Sequence, residues 1–596
     1  MTYKIHPAIG VARLGNSQEF YLEPRVAGQL PVMPDGKPFK PSDFRDRDKK
    51  MRRQGAQFEV FKYDDNGTST VGVPVRPGQD GVERIEWTVH LANKKAVWYK
   101  FLVNLGEYGY VSGHPFRNSV IKDPAERAKF IIDPGPRTLT GPNKAVEFSR
   151  TDNPQNYPMT FPPTGLQPFS IDSLGGLRTD AQSRLVVLGG YGNSGTSKPV
   201  VECDDYANND EWWDDMSDGP VTTKIVMRDG SVIEAFSAWV ITGPARFAPQ
   251  LVNLITLYDV MFDVAVRSMA YRPDIYKDCL WNSDYRPGWN RDIRPILERA
   301  HLYPWVSDIP TSFHTFDYAV LGNPDPQYDD QRELVLNVLR PPFMPNVRQY
   351  TPIKGPAMTL MPVLWGDNLF TTIGQLDQYV TLTDTQYFFM MQWAAGKFVV
   401  DSPAAASPGD ALDRAALENC SGAAFDPGME LTWITRNPRI YSEPFRIHRK
   451  LNVGVPLNIG TDFAQGLEPG DLSKYMALPW QADYNQCSQF TYENDTSWWW
   501  PVQRPDTIHL TADEQAGWVG PGDNLTFDTN LEMVEKWTGL GFIFNEGTVE
   551  KPTYVQVERT LPPQVQTTTT TGASAPTQAS PAQPGPTGKP ATTGNK

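Results

Sequence analysis

The sequence predicts an α+β fold, with a β-rich N-terminal part followed by a mixed helix, strand and loop C-terminal part. Three observations carry this prediction. Strand-like alternation of β-branched and aromatic residues dominates before about residue 245, and helical apolar spacing enters after it. The chain has 54 prolines in 596 residues, about twice the usual share. It also has 17 Trp, 24 Tyr and 28 Phe. Such a composition suits short strands and long ordered loops packed around rings, not a helical bundle.

The elements follow in chain order. Residues 82–103, VERIEWTVHLANKKAVWYKFLV, alternate as a strand does, and so does LVVLGG at 185–190. Residues 223–243 contain Asp229-Gly230 between two apolar runs, a hairpin turn signal. Residues 248–267 space Leu251, Leu254, Leu257, Val260 and Met261 at three- and four-residue intervals. That spacing predicts a helix, with Pro249 in its first turn. Further helices are expected over 369–394 and 411–418, and a strand over YSEPFRIHRK at 441–450. The expected domains are 1–250, β-rich, and 251–565, mixed and catalytic. Residues 566–596 are rich in Thr, Pro, Ala and Gly and lack aromatics, Leu and Ile. This tail cannot offset its ordering entropy and is expected to be disordered.

Composition also excludes function classes. The net charge is −14, and the chain has no Lys/Arg block, so nucleic acid is not an expected partner. No run of about 18 apolar residues predicts a membrane span. The four cysteines, Cys203, Cys279, Cys420 and Cys487, form no CxxC pair, and the seven histidines form no HxH, HExxH or HxxxH. No metal site is therefore predicted. P-loop, dinucleotide and nucleophile-elbow signatures are missing; GGYGNSG at 189–195 lacks the downstream helix and acidic partner of a dinucleotide loop. The densest acidic stretch, DDYANNDEWWDDMSDGP at 204–220, misses the spacing of a calcium loop. It is expected to be a solvated loop anchored by Trp212 and Trp213. The opening, MTYKIHPAIG, has no secretory signal.

More specific phrases occur in a fixed order. IHPAIGVARLGNS (5–17) and WTVHLANKKAVWY (87–99) precede CSGAAFDPGMELTW (420–433), MALPWQADYNQC (476–487), WWWPVQRPD (498–506) and MVEKWTGLGFI (533–543). In this order, over about 1–550, the chain resembles the cysteine tryptophylquinone-dependent amino-acid oxidases, the L-lysine 6-oxidase and glycine oxidase type of quinoprotein. In that family a Trp is oxidised to an ortho-quinone and joined to a Cys by a thioether. The resemblance implies that Cys487 is the cofactor cysteine and that Asp483 is the acid that acts in making the cofactor. It implies Trp537 as the cofactor tryptophan, with Trp498, Trp499 and Trp500 as the alternative, and places Cys420 close to the quinone. Read alone, a cysteine in an aromatic region is a small buried hydrophobe.

The activity implied is oxidative deamination of the primary amine of an amino acid, glycine or the lysine side chain, with O2. Its products are an aldehyde or oxo-acid, ammonia and hydrogen peroxide. No standard side chain supplies the electrophile this needs, which is why a self-derived quinone makes sense of a chain with no nucleotide or metal motif. His448, His509 and Arg504 are candidates to meet a substrate carboxylate because they flank these phrases. The competing reading is a non-catalytic scaffold of the same fold without the cofactor, which would be colourless. The resemblance further implies a separate modifying flavoprotein. Cytoplasmic maturation, export without a signal peptide and a homo-oligomer are also expected.

Overall fold

The computed structural model describes residues 1–565 apart from 65–70, 102–112, 154–155, 310–315, 367–378, 403–406, 424–425, 493–494, 520–526, 549–550 and 562–563. The expected tail, 566–596, lies outside the described residues.

The chain has both helices and strands, as the α+β reading requires. Its main element is a 13-stranded sheet built entirely from the first 243 residues. Its path runs from Arg137–Thr140 through Val82–Val89, Asp218–Met227, Ala238–Gly243 and Ile9–Arg13 to Arg53–Tyr63, Leu185–Leu188, Ser173–Thr179 and Ala145–Ser149. Most pairs are antiparallel; Ala238–Gly243 pairs parallel with Ile9–Arg13, Trp239 opposite Ile9. In Val82–Val89 the residues Ile85, Trp87 and Val89 are buried and alternate with less buried ones, so its alternation reports a real inward face. The expected turn forms at Asp229-Gly230, where Gly230 takes φ +83°.

The strand expected over 82–103 ends at Val89. Beyond it Lys95–Val97 is a single 3₁₀ turn, and 102–103 lie outside the described residues. The helix expected over 248–267 is Leu257–Ser268. Thr256 caps it, and Asp259 returns the bond to the Thr256 N–H, so the capping box sets the start and Pro249 precedes the helix. The other two helices are Asp384–Ala394 and Pro408–Glu418; residues 369–378 of the expected span lie outside the described residues. YSEPFRIHRK is a small hairpin, not one strand: Tyr441–Glu443 turns through Phe445, at φ +66°, into Arg446–Ile447. Among the described residues no helix is long and apolar enough to cross a membrane.

The acidic stretch differs most from expectation. Asp214, Asp215 and Asp218 are all fully buried. Asp215 accepts the N–H groups of Tyr191, Gly192 and Asn193 at 2.7, 3.1 and 3.1 Å. Asp218 accepts from the Trp239 indole at 2.9 Å and from the Leu472 and Ser473 N–H groups at 3.2 and 2.7 Å. The stretch therefore clamps the sheet to the segment that leads into PWQADYNQC.

Burial pushes Asp215 up to about 7 and Asp218 up to about 6. A carboxyl raised on folding stabilises fully below its unfolded pKa, about 4, and loses that contribution as pH rises through the folded value. The thermal midpoint should therefore fall as pH is raised from about 4 to about 7. Asp215→Asn, which does not titrate, should lessen that slope. A wild-type midpoint that rises across this window in a pH series of melts contradicts the assignment.

Candidate active site

The phrase PWQADYNQC folds as the helix Trp480–Gln486, and Cys487 follows as its C-cap residue. Seven residues are too few to be helical on propensity alone, and this helix is held from outside at both ends. At its start the Trp480 N–H donates to Asp214 at 3.3 Å. At its end Arg504 donates to the Tyr484 carbonyl at 2.7 Å and to the Asn485 carbonyl at 3.3 Å. These partners satisfy backbone groups that a helix leaves open at its ends. Lys95, fully buried, donates to Asp214 at 2.6 Å and to the Ala477 carbonyl at 2.8 Å.

Each side chain of the helix has a distinct neighbour. Gln481 donates to the Gly192 carbonyl at 3.0 Å and accepts from Ser194 at 2.7 Å. The glycine-rich loop is thus a seat for this helix. Trp480 packs edge-on against Trp537, with centroids 5.2 Å apart. Gly192, at φ +76°, is needed there because a Cβ would lie 2.0 Å from the Trp537 ring. Asp483 and Cys487 share one face, the Cys487 N–H donating to the Asp483 carbonyl at 2.9 Å.

Cys487 is buried in an apolar cluster with Phe101, Trp365, Tyr379, Trp433 and Trp499. Tyr206 packs against it. Trp365 stacks on Tyr379 at 5.4 Å and lies 6.2 Å from Trp499, and Phe101 stacks on Trp433 at 5.3 Å. The hairpin of Gln489–Tyr492 and Asp495–Trp498 folds the chain straight back, and the Trp499 N–H donates to the Ser488 carbonyl at 2.9 Å. Trp499 is thereby set beside Cys487. Trp537 lies in a different cluster with Trp480. Trp480 and Cys487 are seven residues apart, about 10 Å along a helix axis. The structure therefore packs Trp537 at one end of the helix and Cys487, with Trp499, at the other.

The electrostatics are set by burial. The Cys487 thiol is raised well above its usual range, first by burial and then by the charge and hydrogen bond of Asp483. It needs a base to become a nucleophile. Asp483 Oδ2 accepts the Gly428 N–H at 2.6 Å. Burial, and after it Asp483, raise Glu430 well above the carboxylate range. Asp426 is raised in the same direction, by burial first.

Cys420 sits in the cluster that holds Trp480 and Trp537, 3.8 Å from the Met429 sulfur, its thiol pushed up to about 11 by burial. The 426–430 turn lies between it and Asp483, touching Cys420 through Met429 and Asp483 through Gly428. Of the three residues that flank the phrases, only Arg504 stands at the Cys487 end of the helix. Arg504 is fully buried and turned to backbone carbonyls, and the His509 ring lies tilted against Trp305 with centroids 4.7 Å apart. The His448 backbone N–H is tied to the Ile440 carbonyl at 2.7 Å. Sequence reasoning missed Asp214, Lys95 and Glu430, each inside or beside a phrase that it singled out.

Comparison with known proteins shows the family. The sequence model for the L-lysine epsilon oxidase N-terminal region matches residues 6–242, and that for the L-lysine epsilon oxidase C-terminal domain matches 363–500. The L-lysine 6-oxidase of Marinomonas mediterranea is 37% identical over 531 residues, covering 82% of this chain and 71% of the relative. The crystal structure of the L-Lys epsilon-oxidase from the same organism superposes with a TM-score of 0.83 at 31% identity, covering 94% of this chain and 95% of that one. The structure of its Schiff base intermediate with L-Lys gives 0.82, with the same identity and coverage. Fold and sequence together make this chain an oxidoreductase of the quinoprotein amino-acid oxidase class, acting on an amine with oxygen as acceptor. It belongs to the L-lysine epsilon oxidase family.

Proposed function

We propose that the chain oxidises the side-chain amine of L-lysine with O2, and that its cofactor is a cysteine tryptophylquinone formed from Cys487 and Trp499. The observation that carries the cofactor reading is the burial of Cys487 in one cluster with Trp499, with buried Asp483 one helical turn before Cys487. A thiol and an indole are the parts such a group is made from, the acid can take the proton the thiol gives up, and these residues fit it. Trp537 is the partner the resemblance favours, but its packing against Trp480 argues for Trp499 instead. The 37% identity to an L-lysine 6-oxidase supports lysine as the substrate.

The quinone would supply an electrophilic carbonyl and a two-electron sink that no standard side chain has. The other roles fall to the chain. Asp483 accepts the proton from Cys487 Sγ, which must leave before sulfur can bond to carbon. Phe101, Trp365, Tyr379 and Trp433 wall the site and exclude water, which strengthens every charge interaction inside. Cys420 supports the 426–430 turn behind Asp483. Maturation depends on a separate modifying flavoprotein, because the chain carries no flavin fingerprint and inserting oxygen into an indole needs an activated oxidant. It takes place in the cytoplasm on a folded, homo-oligomeric precursor.

The test is a visible spectrum and a peroxide assay with L-lysine and glycine, on chain made with and without the cognate flavoprotein. Coloured protein that releases peroxide with L-lysine only after co-expression is the expected result. Colourless chain from the co-expression contradicts the cofactor, and peroxide from glycine but not lysine contradicts the substrate.

A further inference from the structure

One N–H serves two carboxyl groups beside Cys487. The Gly428 N–H donates to Asp483 Oδ2 at 2.6 Å and to Glu430 Oε1 at 3.0 Å. The second oxygen of Glu430 accepts the Ala477 N–H at 3.1 Å. Both acids are 3% exposed. Two cations of the neighbourhood are bound to other groups, Lys95 to Asp214 and Arg504 to carbonyls of the helix end. Two carboxylates that converge on one donor, away from water, do not both ionise; the pair retains a proton.

The geometry says which member keeps it. Hydrogen bonds to an ionised acceptor are shorter than those to a neutral one. Asp483 has the shorter bond from Gly428, and it also faces the Cys487 thiol from the preceding turn of the helix. Glu430 has two longer bonds from backbone N–H groups. A protonated carboxyl offers one O–H donor, and the shared Gly428 N–H draws the two carboxyl groups together.

We propose that Glu430 is a positioning residue whose carboxyl keeps the proton of this pair and donates it to Asp483, holding Asp483 as the ionised acceptor that faces the Cys487 thiol. Without that donor the Asp483 carboxylate would lose the bond that fixes its orientation and offsets its burial. The inference rests on the assignment of Asp483 and Cys487 made above.

Glu430→Gln keeps an N–H donor toward Asp483 and a carbonyl acceptor for Ala477, whereas Glu430→Ala keeps neither. The readout is the rate at which the Cys487 thioether accumulates, followed by intact mass under reducing conditions during maturation. Glu430→Gln should stay within about two-fold of wild type and Glu430→Ala should fall about ten-fold or more, the scale of one lost proton-handling group. The infrared difference between wild type and Glu430→Gln should show loss of a protonated-carboxyl band. Glu430→Ala maturing at the wild-type rate overturns the inference, as does a difference spectrum that loses an ionised-carboxylate band. Should Glu430→Ala fail to fold, Glu430→Gln and its spectrum still decide. Wild-type protein with no Cys487 thioether would instead sink the cofactor assignment, and the same infrared difference would still say where the proton sits.

Discussion

Trp499→Phe should give a folded, colourless chain that releases no peroxide with L-lysine, a loss of about a thousand-fold or more. Phe fills most of the space among Trp365, Tyr379 and Cys487 but has no indole to oxidise. Trp537→Phe should keep the colour. It loses an edge contact with Trp480, worth about 1 kcal/mol, and leaves a small gap over Gly192. The contrast follows from the helix between them, which puts the two rings at opposite ends of a seven-residue segment. Spectra of the two variants, matured alongside wild type, check it. A colourless Trp537→Phe with a coloured Trp499→Phe reverses the assignment.

The largest stability effect should come from Lys95→Met. The Lys95 side chain and its partner Asp214 are both fully buried. Removing the ammonium strands Asp214 without its counter-charge, a cost of about 3–5 kcal/mol for a broken buried pair. It also frees the Ala477 carbonyl and loosens the acceptor that holds the Trp480 N–H. Stability and maturation should therefore fall together. The double variant Lys95→Met/Asp214→Leu should recover much of the loss, because two apolar groups leave no orphan charge. Denaturant unfolding of the three proteins checks this, and a single-variant loss under about 1 kcal/mol contradicts the clamp.

Much of this was legible in the sequence. Alternation in Val82–Val89 and the Asp229-Gly230 turn read correctly because each depends on a short stretch of chain. The α+β character followed from where the alternation gives way to helical spacing. The start of Leu257–Ser268 was legible too, in the Thr256 to Asp259 spacing of a capping box, but the apolar run upstream masked it.

The rest depended on distant partners. The acidic stretch reads as solvated because its neighbours are polar. Asp214, Asp215 and Asp218 are buried because Lys95, the N–H groups of 191–193 and Ser473 come to meet them. Glu430 stands within a phrase that the resemblance picked out, yet nothing in its spacing says that it meets Asp483. The tryptophan beside Cys487 is a matter of packing: the hairpin after Ser488 returns Trp499 to the thiol, and sequence separation alone does not report that return.

The proposed cofactor requires a covalent bond between Cys487 and Trp499. Peptide mapping of the mature, coloured protein under reducing conditions tests it most directly. A Cys487 peptide should stay joined to a Trp499 peptide, because a thioether is not reducible. The joined mass should show two carbonyl oxygens gained, and the hydrogens displaced by them and by the thioether lost. A free Cys487 thiol in fully active protein, or a link from Cys487 to Trp537, would contradict it.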